Sequence, residues 1–262
     1  QVAARPAEVV VIGEHSMDEA SAESMVAQLK KSYQISSIFS CVDPELKQLT
    51  GGVGGLARSP HRVCPVNAHA YRALLGSGRL QMFGLDVGAS SPILCFVVYG
   101  WTGGRSDPTA ASRTNGLVAA IGEEAESHPE FCCCFCGDLN ADPDQLPALK
   151  IILEEQAWID CGANASIWGH KDSQATCTSH NATTSSRNDY FVCQSCLLPY
   201  IHNFEVVADP EFSVHDVLRI TWRHPRHMFD QTINLQPPSM VSVLRTVFAE
   251  RRPDIIGGKA SH

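Results

Sequence analysis

The sequence predicts an α/β fold, a four-layer sandwich in which two packed, mostly antiparallel sheets are flanked by helices. Three observations predict it. Short apolar runs bounded by Gly, Asp or Asn, such as Val9-Val10-Val11-Ile12-Gly13 and Phe131-Cys132-Cys133-Cys134-Phe135-Cys136-Gly137, read as buried strands. Strand-like stretches outnumber helical ones. Helical periods fall between some of the strands, which places helices outside a pair of sheets. At 262 residues, 44% hydrophobic and 18% charged, the chain is able to bury a large core and does not have the composition of a disordered one. No long polar linker divides it, so one domain is expected over residues 1–223, with 224–262 as a C-terminal extension or linker.

Residues 8–13 read as a strand, and 17–31 as a helix with Met25, Val26 and Leu29 at helical spacing. Further strands are expected at 35–42, 52–58, 80–87 and 93–99, the last ending on Tyr99. Gly103-Gly104 marks a loop, and a helix over 109–127 turns Leu117, Val118 and Ile121 to one side, with Pro129 beyond its end. The cysteine-rich strand follows and leads into Gly137-Asp138-Leu139-Asn140. Asp142-Pro143 has the chemistry of a helix start, and Leu149, Ile151, Ile152 and Leu153 carry that helix towards Gln156.

The stretch 162–186, rich in Ser, Thr, Asn and His, reads as one long surface loop. Strands at 187–193, 204–207 and 215–222 complete the sheets. Met240, Val243, Leu244, Val247 and Phe248 recur at helical spacing over 240–251. No internal repeat is evident.

The formal charge of −8 argues against affinity from blanket phosphate neutralisation, so any grip on nucleic acid is local, with bound divalent cations offsetting charge at the site. No apolar run approaches a membrane span, and no membrane or stable protein partner is inferred. The chain begins Gln-Val-Ala-Ala without Met and reads as a fragment or processed chain. Cys132, Cys133, Cys134 and Cys136 lie in one strand whose successive side chains face opposite ways, so they are expected as small core hydrophobes instead of ligands to one ion. Cys193 and Cys196 form a Cys-x-x-Cys without a second pair to complete a zinc site. Eleven cysteines, an odd number, without a secretory signal point to a reducing, intracellular compartment, nuclear or cytoplasmic.

Four motifs occur in order: Ile12-Gly13-Glu14-His15, Gly137-Asp138-Leu139-Asn140, Ser186-Arg187-Asn188-Asp189-Tyr190 and Ser213-Val214-His215. Together they resemble the endonuclease/exonuclease/phosphatase superfamily, DNase I-like proteins that include abasic-site endonucleases and the endonuclease domains of non-LTR retrotransposons. The resemblance spans roughly residues 8–222. It implies a Mg²⁺-dependent phosphodiesterase, with Mn²⁺ as a substitute, acting on nucleic acid. Glu14 is the implied metal ligand, its hard oxygens suiting Mg²⁺. Asp138 resembles the carboxylate that aligns or deprotonates the attacking water, and Asn140 the amide that holds phosphate or nucleophile. Asp189 resembles the carboxylate that fixes a His tautomer, leaving His215 to meet the scissile phosphate or leaving group. Tyr99 falls where the family often has a phosphate-contacting Tyr, and Arg187 reads as a structural or rim residue.

Each residue also has a plain alternative: Glu14 as a solvated strand end, Asp138 and Asn140 as turn formers, Asp189 as a solvent-facing strand residue, His215 as a satisfied structural His and Tyr99 as a packed ring. Two departures stand out. The family's first-strand Asn would lie upstream of residue 1, which implies an N-terminally truncated domain with an uncovered edge or face. Val214 stands where the family has an acidic residue, and Asp216, on the same strand face, is displaced by about 6.6 Å. A phosphatase or phosphodiesterase acting on a phosphoinositide, nucleotide or RNA tail, and a catalytically degenerate binding module, therefore remain alternatives.

Overall fold

The computed structural model describes residues 7–44, 50–68, 74, 76–88, 92–178, 184–209, 212, 214–223 and 228–233, the last as backbone only. A six-stranded sheet runs in the order β4 (Arg62–Cys64), β5 (Leu80–Asp86), β6 (Ile93–Tyr99), β7 (Cys132–Asp138), β9 (Asp189–Gln194), β8 (Trp158–Asp160). Two three-stranded sheets cover one of its faces. The first is β1 (Val9–Ile12), β3 (Gly54–Arg58), β2 (Ile35–Phe39), and the second β10 (Ile201–Val207), β11 (Val217–Arg223), β12 (Met228–Ile233). Every pairing is antiparallel except β6 with β7, whose parallel crossover is made by helix α2 (Pro108–Glu126).

The central strands are apolar throughout because both of their faces are covered. Ile93, Cys95, Val97 and Tyr99 of β6 join a core shared with Val9 and Val11 of β1, Ala57 of β3 and Phe204, Leu218 and Ile220 of the other small sheet. Leu94, Phe96 and Val98 point the other way, into Leu117, Val118 and Ile121 of α2 and Leu149 and Ile152 of α3 (Pro147–Glu155). Cys134 and Cys136 likewise fall on one side and Cys133 on the other. The outer face of β1, with Val10 and Ile12, packs on Leu29 of α1 (Glu19–Tyr33). Helix, sheet, sheet and helix make the four expected layers.

The helix ends follow local chemistry. Asp18 caps α1 by accepting the N–H of Ser21, and Asp107 caps α2 by accepting that of Thr109, with Pro108 in the first turn. The single helix expected from Asp142 is instead two pieces, a 3-10 turn at Pro143–Gln145 and then α3. Pro147 is the cause, since it disfavours helical geometry at Leu146, which sits at φ −119°, ψ 77°.

Strand β12, within the residues expected as a C-terminal extension or linker, pairs with β11 from Leu218↔Ile233 to Arg223↔Met228. Strand β12 also lies beside β1, giving a neighbour to the edge that the sequence reading left uncovered. The helix expected at 240–251 lies outside the described residues. Among the described residues no helix is long and apolar enough to cross a membrane.

One cysteine expectation is corrected. Cys132 is not a plain core thiol but pairs in a disulfide with Cys196, which the turn Ser195–Tyr200 after β9 brings to within 6.3 Å between Cα atoms. Bonds of this kind are uncommon in the reducing compartment expected from composition.

Gly137 shows how tightly β7 packs beside β6. A Cβ there would run into the carbonyl oxygen of Val98 on the parallel neighbour β6, backbone that has no room to yield. Gly137→Ala is expected to destabilise the fold by about 3 kcal/mol or more, read as a lowered urea midpoint with unchanged slope.

Candidate active site

Strand register assembles the site. Tyr99 closes β6, Asp138 closes β7 and Asp189 opens β9, and pairing sets the three opposite one another in a single row. Parallel β6 and β7 end at the same rim, and antiparallel β9 begins there. From the facing layer, His215 arrives just before β11, while Glu14 follows β1. Glu14 and Asn140 both hold positive φ, 53° and 51°, directly after strand ends. Such backbone is unfavourable for a non-glycine side chain, least so for Asn, and persists where surrounding structure imposes it.

Asp138, Asp189 and His215 are 3%, 1% and 9% exposed, and one ligand atom from each lies within 4.8 Å of the others. His215 Nδ1 meets Asp189 Oδ2 at 2.8 Å, so the carboxylate holds the proton on Nδ1 and turns Nε2 into the site, 3.9 Å from Asp138 Oδ2. Asp138 Oδ1 accepts the backbone N–H of Asn140 at 2.8 Å. The Asn140 side chain donates to the carbonyl of Gly100, which ties the two loops beyond β6 and β7 together. Tyr99 and Glu14 adjoin this group, and the charge of Glu14 acts on the Tyr99 hydroxyl. Glu14 does not enter the tight trio, but its charge is felt by Asp138 and His215.

The electrostatics are those of a site built for a cation or a shared proton. Burial first, and then the charge of Asp189, raise the Asp138 carboxyl to about 8. Burial disfavours charged His215, but the hydrogen bond and charge of Asp189, with Asp138 and Glu14, more than offset it and raise its pKa. Burial and then Glu14 push the Tyr99 hydroxyl up. Asp189 Oδ1 is buried with no hydrogen-bond partner, a costly state for a carboxylate oxygen. Carboxylate oxygens and one imidazole, with an unsatisfied oxygen among them, fit a small divalent cation of the Mg²⁺ or Mn²⁺ kind.

The raised values set the pH dependence of the metal-free fold. A folded-state pKa above the unfolded one favours folding at low pH, and the benefit is lost as pH rises through the folded value. For Asp138 the loss runs from its ordinary 3.8 to about 8, and for His215 it runs upward from 6.5. In EDTA, the unfolding midpoint should fall as pH rises from mildly acidic to mildly alkaline, and Asp138→Asn should flatten that fall.

Two residues that sequence reading missed hold the trio in place. The stretch expected to be one long surface loop contains Thr176 and Cys177, which pair with the chain on both sides: Cys177 bridges to Ser186 and to His215. Thr176 Oγ1 accepts the N–H groups of Asn188 and Asp189, and its carbonyl accepts that of Asp216. Cys177 Sγ lies 3.6 Å from His215 Nε2. The alternation Thr176-Cys177-Thr178 is the only local signal of this strand-like pairing. Val214 is half-buried and gives its carbonyl to Thr178, and Ser213 lies outside the described residues. Arg187 points away from the trio, forking onto Asp160 with Nη1 to Oδ2 at 2.9 Å and lying over the ring of Tyr190. At the rim, Arg105 donates to the carbonyl of Arg187 and pairs with Asp142, while Arg79 and Arg113 lie over the ring of Trp101.

No protein-family model matches the sequence, and no curated protein is similar to it at the sequence level. Solved structures do match in shape. A 3'-5' exonuclease from Neisseria meningitidis aligns with TM-score 0.65 at 12% identity, covering 85% of this chain and 92% of the exonuclease. An AP endonuclease from Archaeoglobus fulgidus gives TM-score 0.62 at 14% identity, over 80% of this chain and 87% of that one. The endonuclease domain of TRAS1, a telomere-specific non-LTR retrotransposon, gives 0.53 at 16%, over 84% of this chain and 99% of the domain. At these identities the likeness is one of fold, and the fold is the DNase I-like one.

Proposed function

We propose that this chain, which has the DNase I-like fold, is a divalent-metal-dependent phosphodiesterase that hydrolyses nucleic-acid backbones. The observation that carries the reading is the buried row of Tyr99, Asp138 and Asp189 facing a His215 whose Nδ1 is clamped and whose Nε2 is turned into the same space. Proteins of similar shape, among them a 3'-5' exonuclease, an AP endonuclease and a 3' phosphatase bound to a product DNA hairpin, support nucleic acid as the substrate class. The local basic and aromatic groups at the rim, Arg105 and the Arg113–Trp101 pair, support a narrow grip in a chain of net charge −8.

Glu14 would hold Mg²⁺ from the β1 side, with Asp138 and Asp189 as neighbouring carboxylates. Bound there, the ion would supply charge stabilisation to the phosphoryl oxygens. Asp138, whose raised pKa suits proton transfer near neutrality, takes the proton of the attacking water. Asn140 fixes Asp138 through its backbone N–H. His215, whose pKa Asp189 helps to raise, donates to the phosphate or to the departing oxygen. Tyr99 contacts a phosphate oxygen from the end of β6.

A second reading, a nucleic-acid-binding domain without turnover, rests on apolar Val214 beside His215. Purified protein with supercoiled plasmid, a 3'-phosphorylated oligonucleotide, a phosphoinositide and an RNA tail separates these readings. Mg²⁺-dependent plasmid nicking supports the nuclease, and preferential release of phosphate from another ester would replace it. Plasmid binding without turnover of any ester would favour the binding domain.

A further inference from the structure

Cys177 has no part in the proposed hydrolysis, yet its thiol sits against the reactive nitrogen of the site. Its Sγ is 3.6 Å from His215 Nε2, and Nε2 is 3.9 Å from Asp138 Oδ2. Bond lengths of about 2.3 Å to sulfur and 2.05 Å to imidazole, at a tetrahedral angle, put two zinc ligands roughly 3.5 Å apart. The Cys177–His215 separation already meets that spacing. A comparable nitrogen–oxygen pair would stand about 3.4 Å apart, and the residues whose donor atoms already lie within 4.8 Å of one another are Asp138, Asp189 and His215, so Asp138 has to close on both Nε2 and Cys177 Sγ as the ion binds. Asp189 on Nδ1 is the outer carboxylate that orients a metal-binding imidazole and makes Nε2 more basic.

We propose that Cys177 Sγ, His215 Nε2 and Asp138 Oδ2 form a site for a thiophilic divalent cation of the Zn²⁺ or Cd²⁺ class, distinct in donor set from the oxygen-rich position at Glu14. On binding, the S–H bond of Cys177 and any N–H bond at Nε2 of His215 or O–H bond at Oδ2 of Asp138 break, these protons leave to solvent, and the sulfur, nitrogen and oxygen donate the freed electron pairs to the metal. No electron is transferred. Because the ion occupies Nε2 of His215, it blocks the group that meets the phosphate, so Zn²⁺ inhibits hydrolysis; this last consequence rests on the function proposed above, whereas binding does not.

The test is a Cd²⁺ titration of metal-free protein in buffer without reductant, followed by the ultraviolet charge-transfer band of cadmium thiolate. Other thiols are poor competitors, since Cys95, Cys133, Cys134, Cys136, Cys161 and Cys193 are buried in the core, and a Cys177→Ser comparison removes the signal of Cys41 and Cys64. The expected result is a one-equivalent phase that disappears in Cys177→Ser and weakens at least about tenfold in His215→Asn. The same band and affinity in wild type and Cys177→Ser overturns the proposal, whether or not the protein turns over DNA. X-ray absorption of the Zn²⁺-loaded wild-type protein gives an answer independent of variant folding: one sulfur at about 2.3 Å with imidazole scattering supports the site, and a shell of oxygen and nitrogen alone rejects it. If binding holds and Mg²⁺-dependent nicking is present, micromolar Zn²⁺ should suppress nicking in wild type and at least tenfold less in Cys177→Ser.

Discussion

Asp138→Asn is expected to lower Mg²⁺-dependent plasmid nicking by about 10³-fold while leaving the protein folded. The carboxylate is 3% exposed, ends β7 in register with Asp189, and carries a pKa raised by burial and by that neighbour. The amide keeps the shape and its oxygen still accepts the Asn140 N–H, but it takes no proton and carries no charge. Removing a buried charge next to Asp189 should make the metal-free protein more stable at alkaline pH, since the wild type loses stability as Asp138 ionises. Loss of activity in a more stable protein separates a chemical role from a structural one. Undiminished nicking by a folded Asp138→Asn protein would remove Asp138 from the chemistry.

His215→Ala is expected to cost about 10²- to 10⁴-fold in kcat, the range for a proton-handling side chain. Asp189→Asn acts through the imidazole as a positioning change, so the two losses should not add: the double variant should match His215→Ala alone to within a few-fold. A pH profile distinguishes positioning from simple damage. Asp189 helps to raise the His215 pKa, so Asp189→Asn should move the alkaline limb of kcat to lower pH, because protonated His215 is lost sooner. A limb that does not move, together with additive losses, would mean that Asp189 does not work through His215.

The parts of this fold legible in the sequence are those whose burial leaves a local pattern. Strands β6 and β7, covered on both faces, read as continuous apolar runs, and α1 and α2 announce themselves by helical spacing. Strands β4 and β8, three residues each, are too short to show alternation, and β12 sits where composition had already changed. The break at Pro147 was written in the sequence but outweighed by the apolar residues after it.

The five residues Glu14, Asp138, Asn140, Asp189 and His215 were singled out through motif order, with Tyr99 singled out through its place at a strand end. Their arrangement was not legible, because the row of Tyr99, Asp138 and Asp189 depends on strand register, and register is a property of pairing. Thr176 and Cys177 escaped for the same reason. A polar stretch read as surface loop turns into the strand-like partner of His215 only through bonds to Ser186, Val214 and Asp216.

Mn²⁺ soaked into crystals of the metal-free protein, located by its anomalous scattering, tests whether these side chains gather around one hard cation. A single dominant peak within coordinating distance of the Glu14 carboxylate and on the Asp138 side of the site is the result expected. A site that stays empty while the same preparation nicks DNA in Mn²⁺, or a peak held by residues on another face, would contradict it.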